Sequence, residues 1–170
     1  VYSTPVGAWE NVLTIYPTSQ RALNSLANLF MAAGEFEKAT ALYEKVIAID
    51  PNDYVARGNF GALLESEANP KRDVARALTM FQASARVNPA IAENHYNIAR
   101  ILQMQGRLAE AVPLYRKTLE LKPDYAHAYN NLAAIQLAWG FVDAAEPLLH
   151  RALQIDPFYA PAKENLALIG

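Results

Sequence analysis

Residues 126–157 read AHAYNNLAAIQLAWGFVDAAEPLLHRALQIDP, and this stretch decides the fold. Tyr129, Leu132 and Ala133 stand three and four residues apart, so a helix places them on one face. Ala145, Leu149 and Ala152 repeat that spacing in a second segment, which Pro157 closes because proline cannot continue the helix it follows. Gly140, between the two segments, is the stop signal of the first. Small side chains face large ones, so the stretch predicts two antiparallel helices in close contact.

The same pattern extends outward in both directions. Pro17, Pro51, Pro89, Pro123 and Pro157 recur at one interval, with a longer step only between Pro51 and Pro89. The repeat at 92–125 offers Ile98, Ala99 and Leu102, then Gly106, then Ala111, Tyr115 and Thr118. The repeat at 20–53 offers Leu23, Leu26, Ala27 and Phe30, then Gly34, then Ala39, Tyr43 and Val46. In 54–91 the sets are Phe60, Gly61 and Leu64, then Ala77, Phe81 and Ser84. That repeat lacks the turn glycine and carries four extra residues around Glu67 to Asp73. Asn69-Pro70 disfavours helix at Asn69, so the insertion is expected as a longer turn. Residues 1–19 read as a half repeat, with Trp9 and Val12 in second-helix places and Pro5 starting the helix; 160–170 read as a terminal helix carrying Leu166 and Ala167. Pro113 and Pro147 fall early in second helices, where a missing N–H near the first turn need not break them.

A helix-turn-helix unit with these spacings and an interval of about 34 residues resembles the tetratricopeptide repeat, and the resemblance covers nearly the whole chain. It implies an all-α fold, a right-handed superhelical solenoid of antiparallel helix pairs forming a single array over residues 1–170. Large residues such as Tyr43, Phe81 and Tyr115 are expected between layers, and Ala27, Gly61, Ala99 and Ala133 are expected to set the helix spacing.

Hydrophobic residues make up 52% of the 170 and charged residues 19%, which excludes a disordered chain. A formal charge of −2 gives no electrostatic reason to expect nucleic acid. Cysteine is absent, which removes disulfides and thiolate metal sites and leaves the compartment open. No run approaches the ~20 apolar residues of a membrane span, and the first residues do not read as a signal peptide. The chain opens on Val1 and starts and ends inside a repeat, so it is expected to be a piece of a longer or processed protein. His95, His127 and His150 occupy different repeat positions and make no ligand pair, and no phosphate loop, HExxH or GxSxG is present. No catalytic residue, cofactor or metal is expected.

In the family the resemblance points to, first helices line a concave groove through positions two, five, six, nine, twelve and thirteen. Carried onto this sequence, the peptide-contacting candidates are Asn24, Asn28, Asn59, Tyr96, Asn97, Arg100, Met104, His127, Asn130, Asn131 and Asn165. Asn59, Asn97, Asn131 and Asn165 share the sixth position, with Ser25 in its place in the first repeat. An amide offers both donor and acceptor, so such a series suits a peptide backbone; it equally suits bonds to neighbouring helices. A similar asparagine series lines the repeat arm of O-linked N-acetylglucosamine transferase. Chaperone-binding members hold a terminal carboxylate with lysines and an arginine. The best-matched set here, Asn24, Asn28, Asn59, Glu93 and Asn97, lacks every cation, so that reading is set aside.

Three functions follow as expectations. The first is a non-catalytic interaction scaffold holding a peptide or protein segment in the groove. The second is the substrate-recognition arm of a larger glycosyltransferase-like enzyme. The third is self-association, a homo-oligomer through the unpaired terminal helices around Trp9 and Leu166. No nucleic acid and no direct membrane insertion are expected.

Overall fold

A computed structural model of the protein describes residues 4–169; Val1 to Ser3 and Gly170, the outer ends of the expected half repeat and terminal helix, lie outside the described residues. Among the described residues every regular element is an α-helix, and there are ten. They are α1 (Pro5–Ile15), α2 (Gln20–Ala32), α3 (Phe36–Ile49), α4 (Tyr54–Glu65), α5 (Val74–Val87), α6 (Ala92–Met104), α7 (Leu108–Leu121), α8 (Ala126–Ala138), α9 (Val142–Ile155) and α10 (Ala160–Ala167). The chain divides into two compact units, one up to Pro89 and one from Ala90 onward.

In the first unit α2 pairs with α3 and α4 with α5. Leu23, Leu26 and Ala27 are buried against Ala39, Tyr43 and Val46. Phe60, Gly61 and Leu64 are buried against Ala77, Phe81 and Ser84. The Tyr43 and Phe60 rings stack at 5.8 Å, joining the two pairs. Gly61 is the smallest of the spacing residues for a steric reason: a Cβ there would stand 2.8 Å from the Phe81 ring. Helix α1 contributes no buried residue, and Trp9 is half-buried.

In the second unit α6 pairs with α7 and α8 with α9, and α10 closes on α8 and α9. Ala133, Ala145, Leu149, Ala152 and Ala162 form one buried cluster, with Tyr129, Leu166 and Ile169 packed on it. Leu166, expected on an open terminal face, therefore lies against the core, while Leu168 is 78% exposed. Burying Leu149 fully is worth roughly 1.5–3 kcal/mol. A buried hydroxyl ties α5 to the start of α4, Ser84 Oγ donating to the Tyr54 carbonyl at 2.7 Å, while the single proton of Thr118 Oγ1 goes to Leu114 O of its own helix at 2.9 Å with Ala92 O of α6 standing at 3.5 Å.

One hydrogen bond recurs in every turn between paired helices. Glu35 N–H donates to Phe30 O (2.8 Å), Arg107 to Leu102 O (2.9 Å) and Phe141 to Gln136 O (2.9 Å). With the glycine N–H bonding one residue further on, each forms a Schellman ending. Gly34, Gly106 and Gly140 sit at φ 76°, 75° and 81°, a region closed to most side chains. In the second repeat the same bond runs from Asp73 N–H to Leu64 O at 2.8 Å, with the four extra residues accommodated inside it. The insertion is a turn over 66–73, as Asn69-Pro70 predicts. Asn69 is buried and organises it, donating to Leu63 O at 3.0 Å and accepting from Lys71 N–H at 2.9 Å.

Pro113 and Pro147 sit within unbroken helices α7 and α9. They stand in the second turn rather than the first, so each does remove one internal hydrogen bond. Both prolines are exposed, as are Ala109 and Asp143 one turn earlier, so water can reach the freed carbonyls.

Candidate functional site

In the first unit the predicted amides bond to one another and to their neighbours. Asn24 Nδ2 donates to Asp53 Oδ2 at 3.1 Å, and its Oδ1 is buried with no partner among the described residues. Asn59 Nδ2 donates to Asn28 Oδ1 at 3.1 Å, and the Tyr43 hydroxyl donates to the same oxygen. Burial raises the Tyr43 hydroxyl's pKa well above its ordinary value. Arg57, the departure from an apolar residue, donates its Nε and Nη2 to the Pro51 carbonyl at 2.8 and 2.6 Å.

The second unit is organised differently. Tyr96 on α6 stacks on Tyr125 at 4.8 Å and tilts against Tyr115 at 5.9 Å. His127, at the start of α8, stands edge-on to Tyr96 (6.5 Å) and Tyr125 (6.2 Å), and its ring lies 4.6 Å from that of Tyr159. Four tyrosines and a histidine drawn from α6, α7 and the starts of α8 and α10 thus make one continuous patch of rings. Amides pin it: Asn131 Nδ2 donates to the Tyr115 hydroxyl (3.2 Å) and the Tyr96 hydroxyl (3.4 Å), while Tyr115 donates to Gln103 Oε1 at 2.6 Å. Asn165 Nδ2 donates to Asn130 Oδ1 at 2.9 Å, and Asn130 donates to Asn131 Oδ1 at 3.3 Å. Asn130 is only 5% exposed, so its side chain belongs to this internal chain of amides. Asn97 is half-buried and its amide makes no hydrogen bond among the described residues. Arg100 reaches along α6 to Met104 Sδ at 3.6 Å, and Met104 is 57% exposed.

Burial raises the tyrosine pKa values, most strongly at Tyr115, to about 12 at Tyr125 and less at Tyr159, where neighbouring Tyr96 and Asp156 add to it. All three stay protonated at neutral pH and keep their O–H as donors. Beside the rings, Lys122 pairs with Glu93 at 3.1 Å and lies 5.0 Å over the Tyr125 ring. Glu93 is held below the usual carboxylate range by its own backbone N–H and by Lys122. A cleft of about 360 Å³ opens next to this pair, lined by Lys122, Asp124, Tyr125, Ala126, His127, Ile155 and Asp156.

Tyr96, Asn97, Arg100, Met104, His127, Asn130, Asn131 and Asn165 are therefore all placed in the second unit, whereas Asn24, Asn28 and Asn59 sit in the first. Sequence reasoning missed Tyr125, Tyr159 and Lys122, and placed Tyr115 between layers, where it is buried, without its link to the patch. The signal was present: Tyr125 and Tyr159 stand one full repeat apart, at the same repeat position. Among the described residues, no group of three or more His, Asp or Glu could hold a metal ion, and no helix is long and apolar enough to cross a membrane.

Family models described as tetratricopeptide repeat match residues 21–53 and 91–158. No curated protein matches the chain. Similar solved structures include a crystal structure of MamA, at TM-score 0.75 and 23% identity, over 89% of this chain and 86% of that one. MamA from Desulfovibrio magneticus RS-1 gives TM-score 0.74 at 16% identity, over 91% of this chain and 85% of that one. A thermophilic repeat protein of Thermus thermophilus gives 0.68 at 21% identity, over 96% and 88%. At these identities the likeness is one of fold.

Proposed function

We propose, from the premise that this chain is built of tetratricopeptide repeats, that it is a non-catalytic interaction module which takes a protein or peptide segment on the ring-and-amide face of its second unit. One observation carries the reading: the rings of Tyr96, Tyr125, His127 and Tyr159 are contiguous and partly open, beside an Asn97 amide with no internal bond among the described residues. Rigid aromatic side chains give contact area at low entropic cost. A free amide can pair with a backbone C=O and N–H at once. Asn97 and His127 contact the guest directly. Asn131 acts through Tyr96 and Tyr115, which it holds in place.

The recognition arm of a glycosyltransferase-like enzyme gains no support from this geometry. Asn59, Asn131 and Asn165 direct their N–H groups at neighbouring side chains rather than outward.

Selection of displayed random peptides on the full chain tests the proposal. Selected peptides should bind at around micromolar, and Asn97→Ala and His127→Ala should each weaken them about tenfold. Unchanged affinity in both variants, with helicity intact by circular dichroism, rejects this face.

A further inference from the structure

Equivalent positions in successive repeats compare one arrangement in two places. In the third repeat, Glu93, Lys122 and Tyr125 form a set in which the ammonium lies 5.0 Å over the tyrosine ring and 3.1 Å from the carboxylate. The same positions in the fourth repeat hold His127, Asp156 and Tyr159. The tyrosine ring remains, and His127, in the place of the Glu93 carboxylate, lies 4.6 Å from it. A carboxylate remains too, now on Asp156, three residues before Tyr159 and facing the cleft with His127. No cation among the described residues pairs with it, although Lys122 lines the same cleft. The Lys122 ammonium is held by Glu93, and Lys163, the next cation along, lies over Phe158 at 5.5 Å.

The charges around the cleft settle the sign of what fits. Asp124 and Asp156 both line it, and neither pairs with a cation among the described residues. Asp156 Oδ1 accepts the Phe158 N–H at 2.9 Å, which fixes the carboxylate without neutralising it. The α9 helix ends at Ile155 with no basic residue in its last turn, so its terminal carbonyls add partial negative charge at the same spot. A guest carboxylate would meet repulsion there. A guanidinium or ammonium would meet these two unpaired carboxylates and the rings of Tyr125 and His127, while Lys122, which also lines the cleft, is already balanced by Glu93.

We infer that the segment bound at the proposed face presents a basic side chain, arginine or lysine, to the cleft lined by Tyr125, His127, Asp124 and Asp156, where Tyr159 backs the His127 ring. The guest's cation does in the fourth repeat what Lys122 does internally in the third. This rests on the binding face proposed above and goes further by naming the chemistry of its guest.

The test uses the Asp156→Lys variant, which gives the fourth repeat the residue already tolerated at the equivalent Lys122. Displayed random peptides are selected on the wild-type full chain and on this variant, with circular dichroism confirming that both are folded. Wild-type selections should carry arginine or lysine at one fixed place, and replacing that residue by leucine should weaken binding about tenfold. Selections on Asp156→Lys should lose the basic residue. Wild-type peptides without a basic preference, or a preference that survives Asp156→Lys, overturn the inference. If such peptides still depend on Asn97 and His127, the binding face stands and only its guest is wrong. If no peptide is selected at all, both fall.

Discussion

The two units build helix starts by different means. In the first, four of the five helices are capped: Thr4, Ser19, Asp53 and Asp73 each place a side-chain oxygen on a backbone N–H three residues on, at 3.1, 3.4, 2.8 and 2.9 Å, and only Glu35 before α3 does not. In the second, the corresponding places belong to Ile91, Arg107, Tyr125, Phe141 and Tyr159, and none makes a side-chain cap. Such a cap is typically worth ~0.5–2 kcal/mol. An acidic residue in the first turn offsets part of that loss in α6, α7 and α9, through Glu93, Glu110 and Asp143. Helices α8 and α10 have neither device. These are the two helices whose starts carry Tyr125 and Tyr159 into the aromatic patch. The repeat frame tolerates losing a cap, and in the second unit the position gained a ring instead.

Perturbations of the two units should separate these roles. The largest effect is expected at the buried tyrosines. Tyr43→Ala and Tyr115→Ala should each destabilise by about 3–5 kcal/mol in urea unfolding, but only Tyr115→Ala also releases Asn131 and Gln103, so only it should reduce peptide binding beyond what lost stability explains. Equal binding losses in both would erase the distinction between the units.

Alkaline titration comes next. Tyr43 and Tyr115 have pKa values raised by burial, so the unfolded chain releases their protons first. Stability should be complete below pH ~10 and fall as pH rises beyond it. Thermal melts of Tyr43→Phe and Tyr115→Phe should each show a flatter decline, and a slope unchanged in both would contradict the burial assignment.

Gly61→Ala should destabilise the first unit by about 1–3 kcal/mol, because its new methyl group meets the Phe81 ring. Ala133→Gly in the second unit should cost about 1 kcal/mol through helix propensity, with no clash to relieve. Chemical denaturation measures both. The smallest change exchanges the caps themselves. Asp73→Ala should cost about 0.5–2 kcal/mol, while Phe141→Asp, at the same repeat position and 56% exposed, should gain about 0.5–1 kcal/mol. A loss at Phe141→Asp would show that its contact with Trp139 matters more than a cap.

The frame of the molecule was legible in the residues because local rules write it. Proline spacing, the three turn glycines and the three-and-four spacing of Leu23, Leu26, Tyr43, Leu132 and Leu149 are each decided within a few positions, and the helices follow them. Met104 and His127 were also legible as open side chains, since they fall off the packing stripe. The partners of the amides were not. Whether Asn59 reaches Asn28, or Asn131 reaches Tyr96 and Tyr115, depends on how helices well separated in sequence are set side by side. Tyr125 and Tyr159 escaped for a simpler reason: they stand just before their helices, at a place normally judged by its capping ability rather than its ring.

The turn at residues 66–73 carries a separate consequence. Because the Asp73-to-Leu64 bond closes the gap whatever lies within it, the loop works like a detour between two fixed posts. Lengthening a flexible loop is thermodynamically mild, about 0.6 kcal/mol for each doubling. A short tag or reporter spliced between Glu67 and Ala68 gives up the Asn69 N–H to Ser66 O turn bond but keeps the Asp73-to-Leu64 closure, so both flanking helices should stay where they are and the molecule already contains its own insertion port.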